Sequence, residues 1–191
     1  HSLTNKTILE IGTGKGEYLS LMKQFNIDAY GLEYSEQSVN QCNDNGLNVL
    51  QGYIDDENYK ISNKLYDAFF ILNFFEHMPD PNTVLKGLAN NLSEDAVGIV
   101  EVPNFDMILR QNLYSEFITD HLFYFTTETL KNTLSQNGFE IIECKEIWYD
   151  YILSAIVRKR KKTDLSSFRD HKQNIESMLN DYISSYDKVA V

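Results

Sequence analysis

The residues best suited to binding chemistry form a glycine-rich turn near the N-terminus of the chain. Residues 6–11 are largely apolar but include Glu10, and glycines follow at the alternate positions Gly12, Gly14 and Gly16. A helical pattern begins directly after them, so the spacing predicts a strand, a tight turn and a helix N-terminus. Free backbone N–H groups at a helix N-terminus can bind a ligand, and glycines let the backbone approach it closely. The turn therefore predicts a ligand site at the carboxyl end of the first strand.

The spacing of these glycines separates two classes of ligand. A dinucleotide site requires the pattern G-x-G-x-x-G, but its last position is Glu17, whose negative charge would face a pyrophosphate. The segment reads E-x-G-x-G-x-G and resembles the first motif of the Rossmann-like S-adenosylmethionine (SAM) methyltransferases. The resemblance implies SAM as cofactor, with S-adenosylhomocysteine as product, bound through Glu10, Gly12, Thr13, Gly14 and Gly16. An NAD-dependent oxidoreductase remains the alternative enzyme class.

The elements around the turn alternate between strands and helices up to about residue 102. The predicted strands are residues 6–11, 28–33, 47–51, 66–73 and 96–102, and the predicted helices are residues 17–25, 35–44 and 81–92. This alternation predicts an α/β fold with a parallel sheet and helices on both faces. The carboxyl ends of parallel strands meet at one edge of a sheet, so side chains that follow the strands should meet there.

The second half of the chain ends the sheet differently. Residues 104–126 are predicted to be a loop with short helical pieces, and residues 127–137 a helix that ends before Gly138. Two β-rich runs follow at 139–147 and 151–158, so close together that they must form an antiparallel hairpin. This ending resembles that of the Rossmann-like methyltransferases. It implies a seven-stranded, mostly parallel sheet with a terminal antiparallel hairpin.

Further cofactor contacts are predicted after the second, third and fourth strands. Glu33 ends the second strand about twenty residues after the glycine turn, where a carboxylate can accept hydrogen bonds from both ribose hydroxyls of a nucleoside. The methyltransferase resemblance implies adenine contacts after the third strand and methionine contacts after the fourth. The other candidate cofactor-binding residues are Tyr34, Tyr53, Ile54, Asn73 and Phe74.

Two histidine segments carry the candidate catalytic residues. Residues 76–81 read E-H-M-P-D-P and resemble an E-H-x-x-D-P element of small-molecule methyltransferases. Residues 120–126 read D-H-L-F-Y-F-T and resemble the Y-x-E-H-x-x-Y-F-[ST] segment of the sugar C-methyltransferases of surface-polysaccharide biosynthesis. The resemblance implies that His121, oriented by Asp120, removes a proton from the acceptor, with His77 as the second candidate base. Ile118 stands where that family has a tyrosine, so O-, N- and C-methylation all stay open.

Composition limits the partners and the setting. The formal net charge of -11 disfavours binding to nucleic acid. Two distant cysteines favour neither a zinc site nor a disulfide framework, which predicts no metal and a reducing, cytoplasmic setting. No apolar run reaches the ~18–20 residues that a membrane span needs. The expected partner is a small, sugar-like acceptor.

The chain is predicted to divide into a SAM-dependent methyltransferase domain, residues 1–160, and a helical tail, residues 161–191. Apolar residues of the tail recur at helical spacing up to Tyr186, and residues 188–191 read as the beginning of a strand. This arrangement predicts that a further, truncated C-terminal domain begins in the tail. A non-catalytic SAM-fold module of a larger protein is therefore the alternative to an enzyme.

Overall fold

The computed structural model describes residues 6–160 and 172–189 and places seven strands in one sheet. Their order is β3-β2-β1-β4-β5-β7-β6. The strands are β1 (Thr7–Ile11), β2 (Asp28–Glu33), β3 (Val49–Gln51), β4 (Tyr66–Leu72), β5 (Leu92–Pro103), β6 (Phe139–Ile147) and β7 (Ile152–Lys159). The first five strands pair in parallel, and β7 pairs antiparallel with both β5 and β6. The predicted mostly parallel sheet with a terminal antiparallel hairpin is confirmed.

Helices cover both faces of the sheet because neighbouring residues of a strand point to opposite sides. The helices are α1 (Glu17–Gln24), α2 (Glu36–Asp44), α3 (Pro81–Ala89), α4 (Phe105–Arg110), α5 (Thr127–Gln136) and α6 (Lys172–Val189). On β1, Ile8 belongs to a core that includes residues of α1 and α2, whereas Leu9 belongs to a second core with residues of α3 and α5. The central strand β1 is thus buried on both faces, as is usual in parallel sheets.

The predicted boundary between α3 and β5 is wrong. The helix ends at Ala89, and β5 starts at Leu92, four residues before the predicted strand. Leu92 pairs with Tyr66, and the register of the two strands shifts before the next pair. The residues at this irregular start of β5 continue the apolar spacing of the helix, so the sequence pattern assigned them to α3. At the other end of α3, Asp80 accepts hydrogen bonds from the backbone N–H groups of the first turn and caps the helix.

The tail helix α6 packs against α4. Tyr182 is buried beside Phe105, Ile108 and Leu109 of α4. The predicted strand beginning at residue 188 is wrong for Lys188 and Val189, which continue the helix, since the apolar helical spacing persists through the last described turns. Ala190, Val191 and residues 161–171 lie outside the described residues, and the division of the chain near residue 160 stays a prediction. Across the described residues, no helix combines the length and apolar character needed to span a membrane.

Candidate active site

The glycine turn takes a backbone conformation that fits its composition. Gly12, Gly14 and Gly16 have φ angles of 77°, 54° and 75°, values that other residues adopt only with strain. A Cβ atom added to Gly12 would lie 2.3 Å from the ring of Phe74, so the turn needs glycine there for packing. A Cβ added to Gly14 would meet no protein atom within 4 Å. The turn therefore leaves open space at Gly14, on the side where a ligand can approach.

Glu33 holds the turn in place at the end of β2. Its Oε2 atom accepts a hydrogen bond of 2.8 Å from the backbone N–H of Gly14, and its Oε1 atom accepts one of 2.8 Å from Ser35. Each carboxylate oxygen can accept a further bond. Glu33 is thus positioned beside the turn with acceptor capacity left for the hydroxyls of a ribose.

Five of the predicted cofactor-binding residues lie together in one pocket beside the turn. Gly12, Tyr34, Tyr53, Ile54 and Phe74 all line it, although they come from four separate segments of the chain. The remaining lining residues are Ile11, Leu32, Gly52, Met78 and Val84. Asn73 is not among them. Its backbone is left-handed, with φ of 49°, and its N–H group donates to Glu101, so it turns the chain out of β4 just before Phe74.

Four buried side-chain atoms without a hydrogen-bond partner mark this edge of the sheet. Among the described residues they are the only such atoms: Glu10 Oε2, Thr13 Oγ1, Tyr53 Oη and Glu76 Oε2. An unpartnered buried polar group is costly and needs a partner from outside the chain. Three of the four belong to the predicted cofactor residues, which indicates that the missing partners are atoms of a ligand.

Glu10 is the most informative of these residues for the charge of the ligand. Its side chain is buried, and burial together with the charge of Glu33 raises its pKa to about 8. A cationic group placed here would offset both causes by favouring the ionised carboxylate. The residues present therefore fit SAM, which joins a cationic amino acid to a nucleoside, better than they fit an anionic dinucleotide.

A cluster of histidines lies next to this pocket. His77 lies in a 3₁₀ turn, Phe75–His77, that follows β4, and His121 lies in the loop before α5. The N–H groups of Leu122 and Phe123 both donate to the carbonyl oxygen of Glu76, which ties the loop to the turn. The two imidazole rings meet edge to face, with centroids 4.8 Å apart. The structure thus brings together two histidines that are distant in the sequence.

Asp120 is placed closer to His77 than the sequence suggested. The carbonyl oxygen of Asp120 lies 2.8 Å from Nδ1 of His77, and its carboxylate lies 3.8 Å from the same atom. For His121, burial first and then the neighbouring charge of His77 lower the pKa, while the charge of Asp120 raises it. His121 is therefore neutral near pH 7, with a nitrogen lone pair available to accept a proton.

Three residues near the histidines were not predicted as site residues. The Glu76 carboxylate is buried, with Oε1 3.9 Å from Nε2 of both His77 and His121. Tyr151, just before β7, donates a short hydrogen bond to Glu116. Burial and this bond raise the pKa of Tyr151 to about 12. No local pattern points to Tyr151, whereas Glu76 belongs to the E-H-x-x-D-P element and was identifiable from it.

Comparisons with known proteins agree with this geometry. A family model described as a methyltransferase domain matches residues 2–144. The C-methyltransferase NovU of Streptomyces niveus is 24% identical over 139 residues, which are 71% of this chain and 33% of NovU. The chain thus spans about a third of the length of this curated relative.

Solved structures show the same fold. A SAM-dependent methyltransferase from Aquifex aeolicus matches with a TM-score of 0.62 and 17% identity, over 81% of this chain and 82% of that one. The plantazolicin methyltransferase BpumL, solved in complex with a triazolic substrate analogue and S-adenosylhomocysteine, matches with a TM-score of 0.64 and 19% identity, over 82% and 77% of the two chains. The expected SAM-dependent methyltransferase domain, with SAM as its cofactor, is confirmed at the level of the family, and the dinucleotide alternative is set aside. This chain belongs to the methyltransferase-domain family, and its fold is that of the class I, Rossmann-like SAM-dependent methyltransferases.

Proposed function

We propose that this protein transfers the methyl group of SAM to a small polar acceptor, a sugar or a sugar-linked intermediate. The observation that carries the proposal is the contact between the two halves of the site. Phe74 lines the cofactor pocket, and its ring centroid lies 6.1 Å from that of His77, which in turn contacts His121. A neutral imidazole beside a cofactor pocket can act as the general base for methyl transfer to a proton-bearing atom.

In this mechanism, one set of residues positions the two substrates, and another accepts the proton. SAM, when bound, supplies an electrophilic methyl group. The glycine turn and Glu33 hold the nucleoside part, and the site places the attacking atom about 3–3.5 Å from the methyl carbon. His121 accepts the proton that the acceptor loses, and His77 and Asp120 set the charge around its ring.

The acceptor atom is proposed from two observations. NovU is a C-methyltransferase, and methylation of a carbon next to a carbonyl requires stabilisation of an enolate oxygen. The tyrosine hydroxyl that the sugar C-methyltransferases carry is absent at Ile118. Tyr151 offers another hydroxyl, which is hydrogen-bonded to Glu116, a residue whose charge also acts on His121. Carbon is thus the acceptor atom that these observations support, whereas transfer to oxygen or nitrogen would need only the base.

The proposal extends to the biosynthetic role, the cellular compartment and the domain organisation of the whole protein. The sequence resemblance supports a role in surface-polysaccharide biosynthesis, and the two free cysteines favour the cytoplasm. A further domain of the same polypeptide is proposed because the chain spans about a third of NovU. The acidic charge argues against nucleic acid as the acceptor.

Transfer of label from methyl-labelled SAM tests the proposal directly. We propose two matched acceptors, a nucleotide-linked keto sugar and the same sugar with a hydroxyl in place of the carbonyl. Label in the keto sugar alone supports C-methylation, and label in both supports transfer to oxygen. Calorimetric binding of SAM without label in either acceptor or in a panel of other small polar acceptors would favour the non-catalytic module.

A further inference from the structure

Glu76, His77 and His121 present three metal-ligating atoms to one point. Among the described residues they form a group in which one ligand atom from each lies within 4.8 Å of the others. Oε1 of Glu76 lies 3.9 Å from Nε2 of His77 and 3.9 Å from Nε2 of His121. These separations are too long for hydrogen bonds, so the buried carboxylate is not satisfied by either ring.

The other oxygen of this carboxylate supplies an independent observation. The Glu76 side chain is only 2% exposed, and its Oε2 atom has no hydrogen-bond partner. A buried carboxylate without a partner is costly unless it is paired or coordinates a metal ion. Since both imidazoles face the Oε1 atom of this group, a cation bound between them would offset the buried charge of the carboxylate and use both ring nitrogens.

The orientation of His77 favours coordination through Nε2. Its Nδ1 atom lies 2.8 Å from the carbonyl oxygen of Asp120, and a carbonyl can only accept a hydrogen bond. Nδ1 must therefore carry the proton, which leaves the lone pair on Nε2, the atom nearest to Glu76. A backbone carbonyl that fixes the tautomer of a histidine in this way is the usual outer-shell support of a metal ligand.

We propose that Glu76, His77 and His121 bind one divalent transition-metal ion of the Zn²⁺ or Co²⁺ type. Two imidazoles and one carboxylate suit these ions, whereas Mg²⁺ and Ca²⁺ prefer oxygen ligands alone. Ligand bonds of ~2.0–2.2 Å require donor separations near ~3.4 Å in a tetrahedral site, so the donors, now 3.9 Å to at most 4.8 Å apart, need to approach by about 0.5–1.4 Å. This proposal differs from the sequence-based prediction of no metal site, because that prediction rested on the two distant cysteines and did not consider histidine and glutamate ligands.

The site has three protein ligands and leaves a fourth position for a water molecule or an acceptor oxygen. The ion uses the Nε2 lone pair of His121, so metal-bound protein lacks this nitrogen as a free base. The role of the ion in turnover rests on the proposed function, but the existence of the site does not.

Titration of the purified, chelator-treated chain with Co²⁺ tests the site without SAM or acceptor. A tetrahedral Co²⁺ complex absorbs visible light, and we expect saturation at one ion per chain. His77→Ala and Glu76→Gln should each weaken binding by more than the roughly 10–100-fold that loss of an outer-shell partner costs. The matched control is the double variant His1→Ala, His171→Ala, which removes the two histidines outside the described residues and should bind as the parent does.

Three results would overturn the proposal. They are absence of the Co²⁺ absorption at millimolar metal, unchanged affinity in His77→Ala and Glu76→Gln, and loss of binding in the control variant. Circular dichroism of each variant confirms that the chain is folded. Because neither SAM nor acceptor is present, a negative result here leaves the methyl-transfer proposal standing, and a missing methyl transfer leaves this one standing.

Discussion

Two buried glutamates lie at this edge of the sheet; burial raises the pKa of both, but their neighbouring groups differ. Glu10 and Glu76 are 3% and 2% exposed, and each has one carboxylate oxygen without a partner. The nearest charge that affects Glu10 is the like charge of Glu33, which raises its pKa further. Glu76 is close to His77, whose charge lowers its pKa against the effect of burial.

The difference indicates where the missing charge must come from. Among the residues that the structure describes, no cation offsets the Glu10 carboxylate, so we expect the compensating charge to arrive with a ligand, as the sulfonium and amino groups of SAM do. Glu76 already has two imidazoles that can carry a proton or share a metal ion. We therefore expect the ionisation of Glu10 to depend on cofactor binding. We expect that of Glu76 to depend on the protonation of the two histidines and on the proposed metal ion.

The largest expected effect isolates the acceptor side. His121→Ala should reduce turnover by roughly 10²–10⁴, because it removes the proposed proton acceptor, while SAM affinity stays unchanged. Steady-state turnover and calorimetry with SAM check the two halves separately. Asp120→Asn should cost less, since its carboxylate is nearer to His77 than to His121. Full turnover of His121→Ala on its true acceptor would move the base to His77.

The second prediction concerns Glu10, on the cofactor side, and the effect of its protonation on the free energy of unfolding. Because the pKa of Glu10 is raised, the Glu10 carboxyl group keeps its proton in the folded state between pH 4.5 and about 8, whereas it loses the proton in the unfolded chain. The free energy of unfolding therefore falls as the pH rises through this window. Glu10→Gln removes this loss. At pH 7 the ligand-free variant should gain about 3 kcal/mol in free energy of unfolding, and at pH 5 less than about 1 kcal/mol. Urea unfolding at the two pH values measures both.

The exposed residue Glu17 offers the matched control for this prediction. Glu17→Gln changes an exposed side chain, so its free energy of unfolding should stay within about 0.5 kcal/mol of the parent value. In addition, SAM binding should release a proton from Glu10, which calorimetry in buffers of different ionisation enthalpy detects. An equal gain in stability at pH 5 and pH 7 would show that Glu10 does not titrate in this window.

A smaller stability gain is expected for Glu76→Gln in metal-free protein. Burial raises the pKa of Glu76, but its own backbone N–H group and His77 both lower it, so less free energy is lost on ionisation than at Glu10. The same urea experiment gives the comparison. A gain as large as that of Glu10→Gln would mean that the imidazoles do not offset the buried charge.

The smallest effect concerns the hydroxyl group at the start of β7. Tyr151→Phe removes the hydroxyl that would turn from Glu116 to the enolate oxygen, and should cost about 0.5–1.5 kcal/mol of transition-state stabilisation, which is roughly a 2- to 12-fold loss of turnover. Comparison of kcat and KM on a keto sugar measures it. Tyr124→Phe serves as a control aromatic variant, because its hydroxyl bonds to the backbone of Ile118. Equal losses in both variants would assign the effect to packing of the loop.

The cofactor side was predictable from sequence and the acceptor side only in part. The glycine turn is a local motif, and Glu33 follows it at the spacing that a strand–helix–strand unit sets. The positions of both in the fold could therefore be predicted from sequence spacing alone. Glu76 meets His121 only because a loop 45 residues later is tied to its carbonyl oxygen. The start of β5 was missed for a similar reason, since its pairing with Tyr66 across the sheet overrides an apolar helical pattern.

The position of β7 has a consequence for how the chain acquires its fold during synthesis. Of the seven described strands, β7 is the last to leave the ribosome, yet it lies between β5 and β6 in the finished sheet. β6 pairs only with β7 among the described strands, so it cannot join the sheet when it emerges. Until then the edge of β5 is unpaired, and such an edge is a template for aggregation. Nascent chains that stop before residue 152 should therefore be the aggregation-prone ones, and completion of a single hairpin closes that period of risk.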